Sequence, residues 1–170
     1  HHPNTEGFEG ELLSPYALSK HSNEKYAQVQ CRAFGFSVIG LRYFNVFGPR
    51  QDPNSQYAAV IPKFITSLIR GEAPTIYGDG EASRDFTFVQ NVVLGNLLAC
   101  FAPLSEVGND SHFSVMNVAC GATTSVNQLF AKIAGLLGSN LTAKHVEPRK
   151  GDIRFSFAKI DRAQKLIQFN

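Results

Sequence analysis

Little in this 170-residue chain ties it to a membrane, a polyanion or a disulfide framework. Sixteen Lys and Arg stand against fourteen Asp and Glu, and the net charge of +2 is dispersed. That excludes a broad basic face for nucleic acid or anionic lipid, so any anion site must be local. The longest apolar stretch, 92–104, contains Asn96 and is too short for a bilayer, and the first residues lack the basic-then-apolar order of a secretory leader. These absences give a cytoplasmic reading. Cysteine is scarce: Cys31, Cys100 and Cys120 are scattered, odd in number and without metal-ligand spacing. They are expected to be buried free thiols. No metal site is assigned, His1 and His2 included, and no internal repeat or low-complexity run occurs.

The chemistry begins at 14–20, Ser-Pro-Tyr-Ala-Leu-Ser-Lys. If these residues open a helix, Tyr16 and Lys20 lie four apart and share a face. An ammonium beside a phenol favours the phenolate, which makes Tyr16 a usable acid or base. Alone the motif is weak, because the same spacing is common on solvated helix faces.

The surrounding pattern is α/β. A helix is expected from Pro15 to Phe34, stopped by Gly35, followed by a buried parallel strand over 36–47, where β-branched and aromatic residues run almost without charge. The turn-rich 48–54 leaves that strand as a loop, the place where ligands bind in open parallel sheets. A helix follows over 60–70, then a strand over 74–77, the Gly78-Asp79-Gly80 turn and a second strand over 83–89. Asn91 is read as the N-cap of a helix over 92–101, whose apolar composition implies burial on more than one side. A polar loop over 103–111, a strand over 112–118 and a helix over 126–137 capped by Ser125 come next. The end of the chain reads as a strand over 141–146, a charged loop over 147–152 and a short helix over 159–167.

Five stretches in this order resemble the extended short-chain dehydrogenase/reductases that act on nucleotide sugars, most closely the bacterial UDP-N-acetylglucosamine 4-epimerases. They are Tyr16-Ala-Leu-Ser-Lys20 with its preceding Ser-Pro, Leu41-Arg-Tyr-Phe-Asn45-Val-Phe-Gly-Pro-Arg-Gln51, Ala58-Ala-Val-Ile-Pro62, Gly78-Asp-Gly-Glu-Ala-Ser-Arg84-Asp-Phe86 and Arg149-Lys-Gly-Asp152. The resemblance implies an NAD-dependent UDP-sugar 4-epimerase of polysaccharide precursor synthesis. In that family hydride leaves sugar C4, the ketose rotates, and hydride returns to the other face. Tyr16 is then the general base and Lys20 the ligand of the nicotinamide ribose, with Tyr43 beside the nicotinamide. Asn45 would contact the diphosphate region, Arg84 and Arg149 would clamp the diphosphate, and Asp152 would accept from the uridine ribose. Ala59, Val60 and Tyr77 would surround the uracil. The loop at 50–54 with 58–60 resembles the N-acetylhexosamine branch. A dehydratase or reductase of the same family stays open.

Without the resemblance each residue has a plainer role. The arginines are surface charges, Asn45 satisfies a strand end, Tyr77 packs, and Asp152 structures its loop.

The family's glycine-rich phosphate loop does not occur in the sequence, and only fifteen residues precede Tyr16, too few to reach the family's catalytic Ser or Thr. The chain therefore resembles the C-terminal half of such an enzyme. The expected fold is a partial doubly wound parallel sheet, an incomplete Rossmann-like domain, with a smaller mixed substrate-binding domain. Residues 1–50 are assigned to the NAD-binding part and 51–170 mainly to nucleotide-sugar binding, with 84–101 and 112–118 returning to the first. NAD is expected in the full-length family member and not retained by this chain alone. The alternative function is a catalytically inactive fragment that binds a nucleotide sugar or only self-associates. Uncovered sheet edges predict a homo-oligomer or pairing with a missing N-terminal half.

Overall fold

The computed structural model describes residues 3–8, 10–54, 60–103, 112–149 and 153–170. Ser14 opens helix α1 (Pro15–Phe34) from an extended conformation, its hydroxyl accepting the Ala17 N–H at 3.1 Å, with proline in the first turn where its missing N–H costs nothing. Gly35 closes α1 at φ 71°, its N–H donating to the Cys31 carbonyl. These are the bounds the sequence implies.

Strand β1 (Val38–Tyr43) pairs in parallel with β6 (Phe113–Val118), from Val38 opposite Phe113 to Tyr43 opposite Val118. The run 36–47 is not one buried strand. The chain leaves β6 at Phe44-Asn45 and resumes as β2 (Val46–Phe47), which pairs in parallel with β5 (Thr87–Phe88). Among the described residues β1 and β6 pair only with each other; β1 is half-buried from Val38 to Arg42 while β6 is buried from Ser114 onward, because the helix at 161–167 packs against β6. The run 83–89 divides the same way. Between β4 (Ser83–Arg84) and β5, Asp85 turns inward and its carboxylate accepts the N–H groups of Cys120 and Gly121 at 2.9 Å each and of Ala158 at 3.4 Å. A fully buried carboxylate needs such donors, and collecting them breaks the strand.

Helix α3 (Val89–Phe101) starts directly after β5, with Phe88 at its N-cap position and Asn91 inside the first turn, so Asn91 is not the cap. Nor is α3 covered on several sides. It docks through Gly95, where an added Cβ would meet Val118 at 3.0 Å, and leaves Val93, Leu97 and Phe101 exposed. The absent side chain is what lets the helix approach β6. Met116 and Val118 of β6 form one core with Ala163 and Ile167 of the last helix, α5 (Asp161–Ile167), and with Phe169; Ile39, Leu41 and Leu98 pack against it.

A second core gathers Ile61, Phe64 and Leu68 of α2 (Val60–Ile69), Ile76 of β3 (Thr75–Tyr77), and Leu129 and Ile133 of α4 (Val126–Leu136). Phe64 and Phe130 meet edge to face at 5.7 Å between ring centroids. Burial of each large side chain here contributes roughly 1.5–3 kcal/mol. Ser125 and Gln128 form a reciprocal capping box at the start of α4. β3 pairs in parallel with β8 (Lys144–Val146), shorter than the expected 141–146, and β4 lies between β7 (Thr124–Ser125) and β9 (Phe155–Ser156). The two-residue strands β7 and β9 have no sequence signal of their own. The result is the expected partial, mainly parallel α/β fold, with no helix among the described residues long and apolar enough to cross a membrane. Cys31 is buried as expected, but Cys100, on α3, and Cys120, in the loop after β6, are exposed.

Candidate functional site

Two clefts gather most of the singled-out residues that the structure describes. The first, about 580 Å³, lies between α1 and β1, with Tyr16, Lys20 and Glu24 on the helix wall, Arg42 and Tyr43 on the strand wall, and Asn117 also lining it. The cap at Ser14 places Tyr16 in the first turn, and helical spacing brings the Lys20 ammonium to 5.4 Å from the Tyr16 ring centroid. Tyr16 is 68% exposed, open to an incoming ligand. Across the cleft the Tyr43 hydroxyl donates to Asn96 Oδ1 at 3.0 Å, and Asn96 Nδ2 donates to the Val92 carbonyl, tying the strand end to α3. Asn117 is buried; its backbone N–H donates to Glu6 at 2.7 Å and its amide to the carbonyls of Asn4 and Lys159. This pins the lead-in to the cleft wall.

The second cleft, about 280 Å³, lies at the β3 end of the second core and includes Asn54, Lys63, Thr66, Tyr77 and Arg149 in its lining. The pairing of Tyr77 with Val146 brings the segment after β8 alongside, and the Arg149 guanidinium carbon lies 3.8 Å from the Tyr77 ring centroid. A hydrogen bond to Arg149, then its positive charge, lowers the Tyr77 pKa below the usual phenol value; burial opposes this and the Lys63 charge adds to it. No acidic side chain lines this cleft among the described residues. It is a local cationic site on a chain of nearly balanced charge.

Other expected site residues lie elsewhere. Asn45 is exposed in the break between β1 and β2, its carbonyl accepting the Thr87 N–H at 3.3 Å. Arg84 lines neither cleft; its guanidinium donates to the Ser83 carbonyl at 2.9 Å and to the Arg154 carbonyl at 3.4 Å. Val60, at the start of α2, packs half-buried against the second core. Ala59 and Asp152 lie outside the described residues. The residue-by-residue reading of the sequence missed Lys63, whose signal is a lone charge within the apolar run of α2, and Glu24, which repeats the four-residue spacing of Tyr16 and Lys20. Among the described residues no group of three His, Cys, Asp or Glu could hold a metal ion.

The first cleft brings an ammonium and the Tyr16 phenol together on a partly apolar wall, opposite the Tyr43 end of β1. The second suits a phosphorylated nucleoside, with a flat ring beside two cations.

Known proteins resemble the chain over nearly its whole length. Residues 1–119 match the family described as the NAD dependent epimerase/dehydratase family. A putative UDP-glucose 4-epimerase of Methanocaldococcus jannaschii is 36% identical over 154 residues, which is 91% of this chain and 47% of that protein. The UDP-N-acetylglucosamine 4-epimerase of Methanobrevibacter ruminantium M1, solved in complex with UDP-N-acetylmuramic acid, superposes with a TM-score of 0.90 at 43% identity, over 99% of this chain and 51% of its own. The UDP-glucose 4-epimerase of Thermotoga maritima, solved with UDP-glucose, gives 0.89 at 36% identity, over 99% and 52%. The chain thus spans about half the length of the proteins it matches.

Proposed function

The chain belongs to the NAD dependent epimerase/dehydratase family, and from that membership we propose that it is the C-terminal part of an NAD-dependent UDP-sugar 4-epimerase. Its substrate is a UDP-N-acetylhexosamine and its role is polysaccharide precursor synthesis. The observation that carries the reading is the convergence of Tyr16, Lys20 and Tyr43 on one cleft. Tyr16 Oη takes the proton of the sugar 4-hydroxyl and later returns it. Lys20, close to the Tyr16 ring, neutralises the phenolate while it exists and donates to the nicotinamide ribose. Tyr43, whose side chain is held by Asn96 on α3, presents the backbone of its strand end to the nicotinamide. NAD, when bound, supplies the hydride acceptor and donor for C4.

The second cleft holds the nucleotide. Tyr77 offers its ring to the uracil, with the segment at Ala59 and Val60 around the base. Arg149 and Arg84 hold the diphosphate, Asn45 contacts it from the strand end, and Asp152 accepts from the ribose hydroxyls. Residues 1–50, 84–101 and 112–118 serve the cofactor side, and the remainder of 51–170 serves the nucleotide sugar. The chain alone binds a UDP-sugar but does not turn it over or retain NAD, since these residues include no glycine-rich pyrophosphate loop. A second copy, or an N-terminal half, covers the exposed apolar residues of α1 and α3.

The test is a thermal melt of the 170-residue chain with and without excess UDP, joined to an assay with UDP-N-acetylglucosamine and NAD. A midpoint raised by UDP without product is the expected result, because a ligand stabilises only the state that binds it. A midpoint unmoved by UDP refutes nucleotide binding by this chain, and product formation refutes its inactivity.

A further inference from the structure

Arg149 occupies a surface that, on the nucleotide-sugar reading, a base would use. At 3.8 Å from the Tyr77 centroid its guanidinium lies in van der Waals contact with one face of the ring. The same arginine lowers the Tyr77 phenol pKa below its usual value. Tyr77 is 43% exposed, at a cleft with Lys63 as its other cation and no acidic side chain among its described lining residues. A guanidinium plane and a nucleobase both stack on a flat aromatic face, and they cannot share one face.

We propose, resting on the nucleotide-sugar reading above, that Arg149 is a self-ligand of Tyr77 that makes the cleft select phosphorylated nucleosides over bare ones. In the free chain the guanidinium holds the ring face. A ligand with a diphosphate draws it off, because charge-assisted, forked hydrogen bonds to phosphate oxygens are stronger than an exposed stacking contact. A nucleoside without phosphate displaces the arginine and returns nothing, so its apparent affinity falls by the fraction of chains with an open ring. Arg149 therefore acts in two opposite directions, as a competitor of the base and a partner of the phosphate. A simple phosphate contact would act in only one.

The experiment is calorimetric titration of uridine and of UDP into the chain and into Arg149→Ala, with circular dichroism confirming that the variant is folded. Arg149→Ala is expected to bind uridine about threefold more tightly and UDP about tenfold more weakly. Arg149→Lys, which keeps the charge but loses the plane, should also gain uridine affinity and lose less for UDP. It carries the test if the alanine variant fails to fold. A second readout is phenol absorbance against pH, with Tyr77 identified by difference from Tyr77→Phe: UDP should raise the pH at which Tyr77 ionises, as Arg149 leaves it. If UDP binds the chain but the arginine variants hold uridine no more tightly, the self-ligand is refuted and the nucleotide reading stands. If UDP does not bind the chain at all, the nucleotide reading fails and the self-ligand with it.

Discussion

Glu24 on α1 and Arg42 on β1 meet fork to fork, with Arg42 Nε donating to Oε1 at 2.7 Å and Nη2 donating to Oε2 at 2.6 Å. Tyr16, Lys20 and Glu24 follow one another at four-residue steps along the cleft face of α1, so this clamp fixes the rotation of the helix that carries the proposed base. Both side chains are less than a quarter exposed, at 24% and 22%. Removing one partner strips the forked contact from a charge that water reaches poorly.

Glu24→Gln is accordingly expected to destabilise the chain by about 1–2 kcal/mol, with the partial exposure discounted from the cost of breaking a fully buried pair. The double variant Glu24→Gln with Arg42→Gln should recover part of that loss, because neither charge is then left without its forked contact. Urea unfolding of the four proteins closes the cycle. A double variant as unstable as the sum of the singles would show that the two residues do not act as a pair.

Asp85 should be far less replaceable than Arg84 beside it. Its fully buried carboxylate accepts three backbone N–H groups, and an amide can present an acceptor to only part of that set while its NH₂ confronts the remaining donors. Asp85→Asn is expected to cost about 2–4 kcal/mol in urea unfolding. A loss under about 0.5 kcal/mol, the usual size of a surface substitution, would contradict the account of the break between β4 and β5.

Local signals carried most of what the sequence revealed. The bounds of α1 follow from Ser14, Pro15 and Gly35, and the start of α4 from Ser125, because caps act within a few residues of the backbone they satisfy. The Tyr16 and Lys20 pair was legible for the same reason. Partner exchange is not local: nothing in 36–47 or 83–89 announces that the chain leaves one pairing for another at Asn45 or at Asp85. The apolar composition of α3 suggested burial, yet only the position of Gly95 against Val118 decides which side is covered. Tyr77 and Arg149 meet through the β3–β8 register, which no spacing rule supplies, so resemblance gave them one substrate but no mutual contact.

The capping box at Ser125 gives a calibrated local measurement. The hydroxyl accepts the Gln128 N–H at 3.2 Å while the Gln128 side chain accepts the Ser125 N–H at 3.0 Å. Ser125→Ala removes the first of these and should cost about 1 kcal/mol by urea unfolding. Ser125→Gly should cost only a few tenths. Equal losses for the two would mean that packing of the buried side chain, rather than capping, dominates this position.

Acid stability should depend on Asp79 through its backbone partner more than through its ion pair. Oδ1 accepts the Glu81 N–H at 3.0 Å and Oδ2 accepts from Arg154 Nη2 at 2.7 Å. The Asp79 pKa is lowered, first by the Glu81 N–H, against opposing burial, and then by the charge of Arg154. An unfolded aspartate titrates near 3.9, so between the lowered folded value and that one the unfolded state binds more protons, and stability rises with pH. The contribution is complete above the unfolded value and is lost as pH falls through the folded one. Thermal melts between about pH 5 and 2 should therefore show a steeper loss for the natural chain than for Asp79→Asn, which has no carboxyl to protonate. The side chains of Arg154 and Asp79 are 63% and 57% exposed, so water and salt screen their attraction. Arg154→Ala should keep most of the natural acid slope, and raising the salt concentration should change that slope little. If Arg154→Ala flattened the curve as much as Asp79→Asn, the ion pair and not the Glu81 N–H would govern this carboxylate.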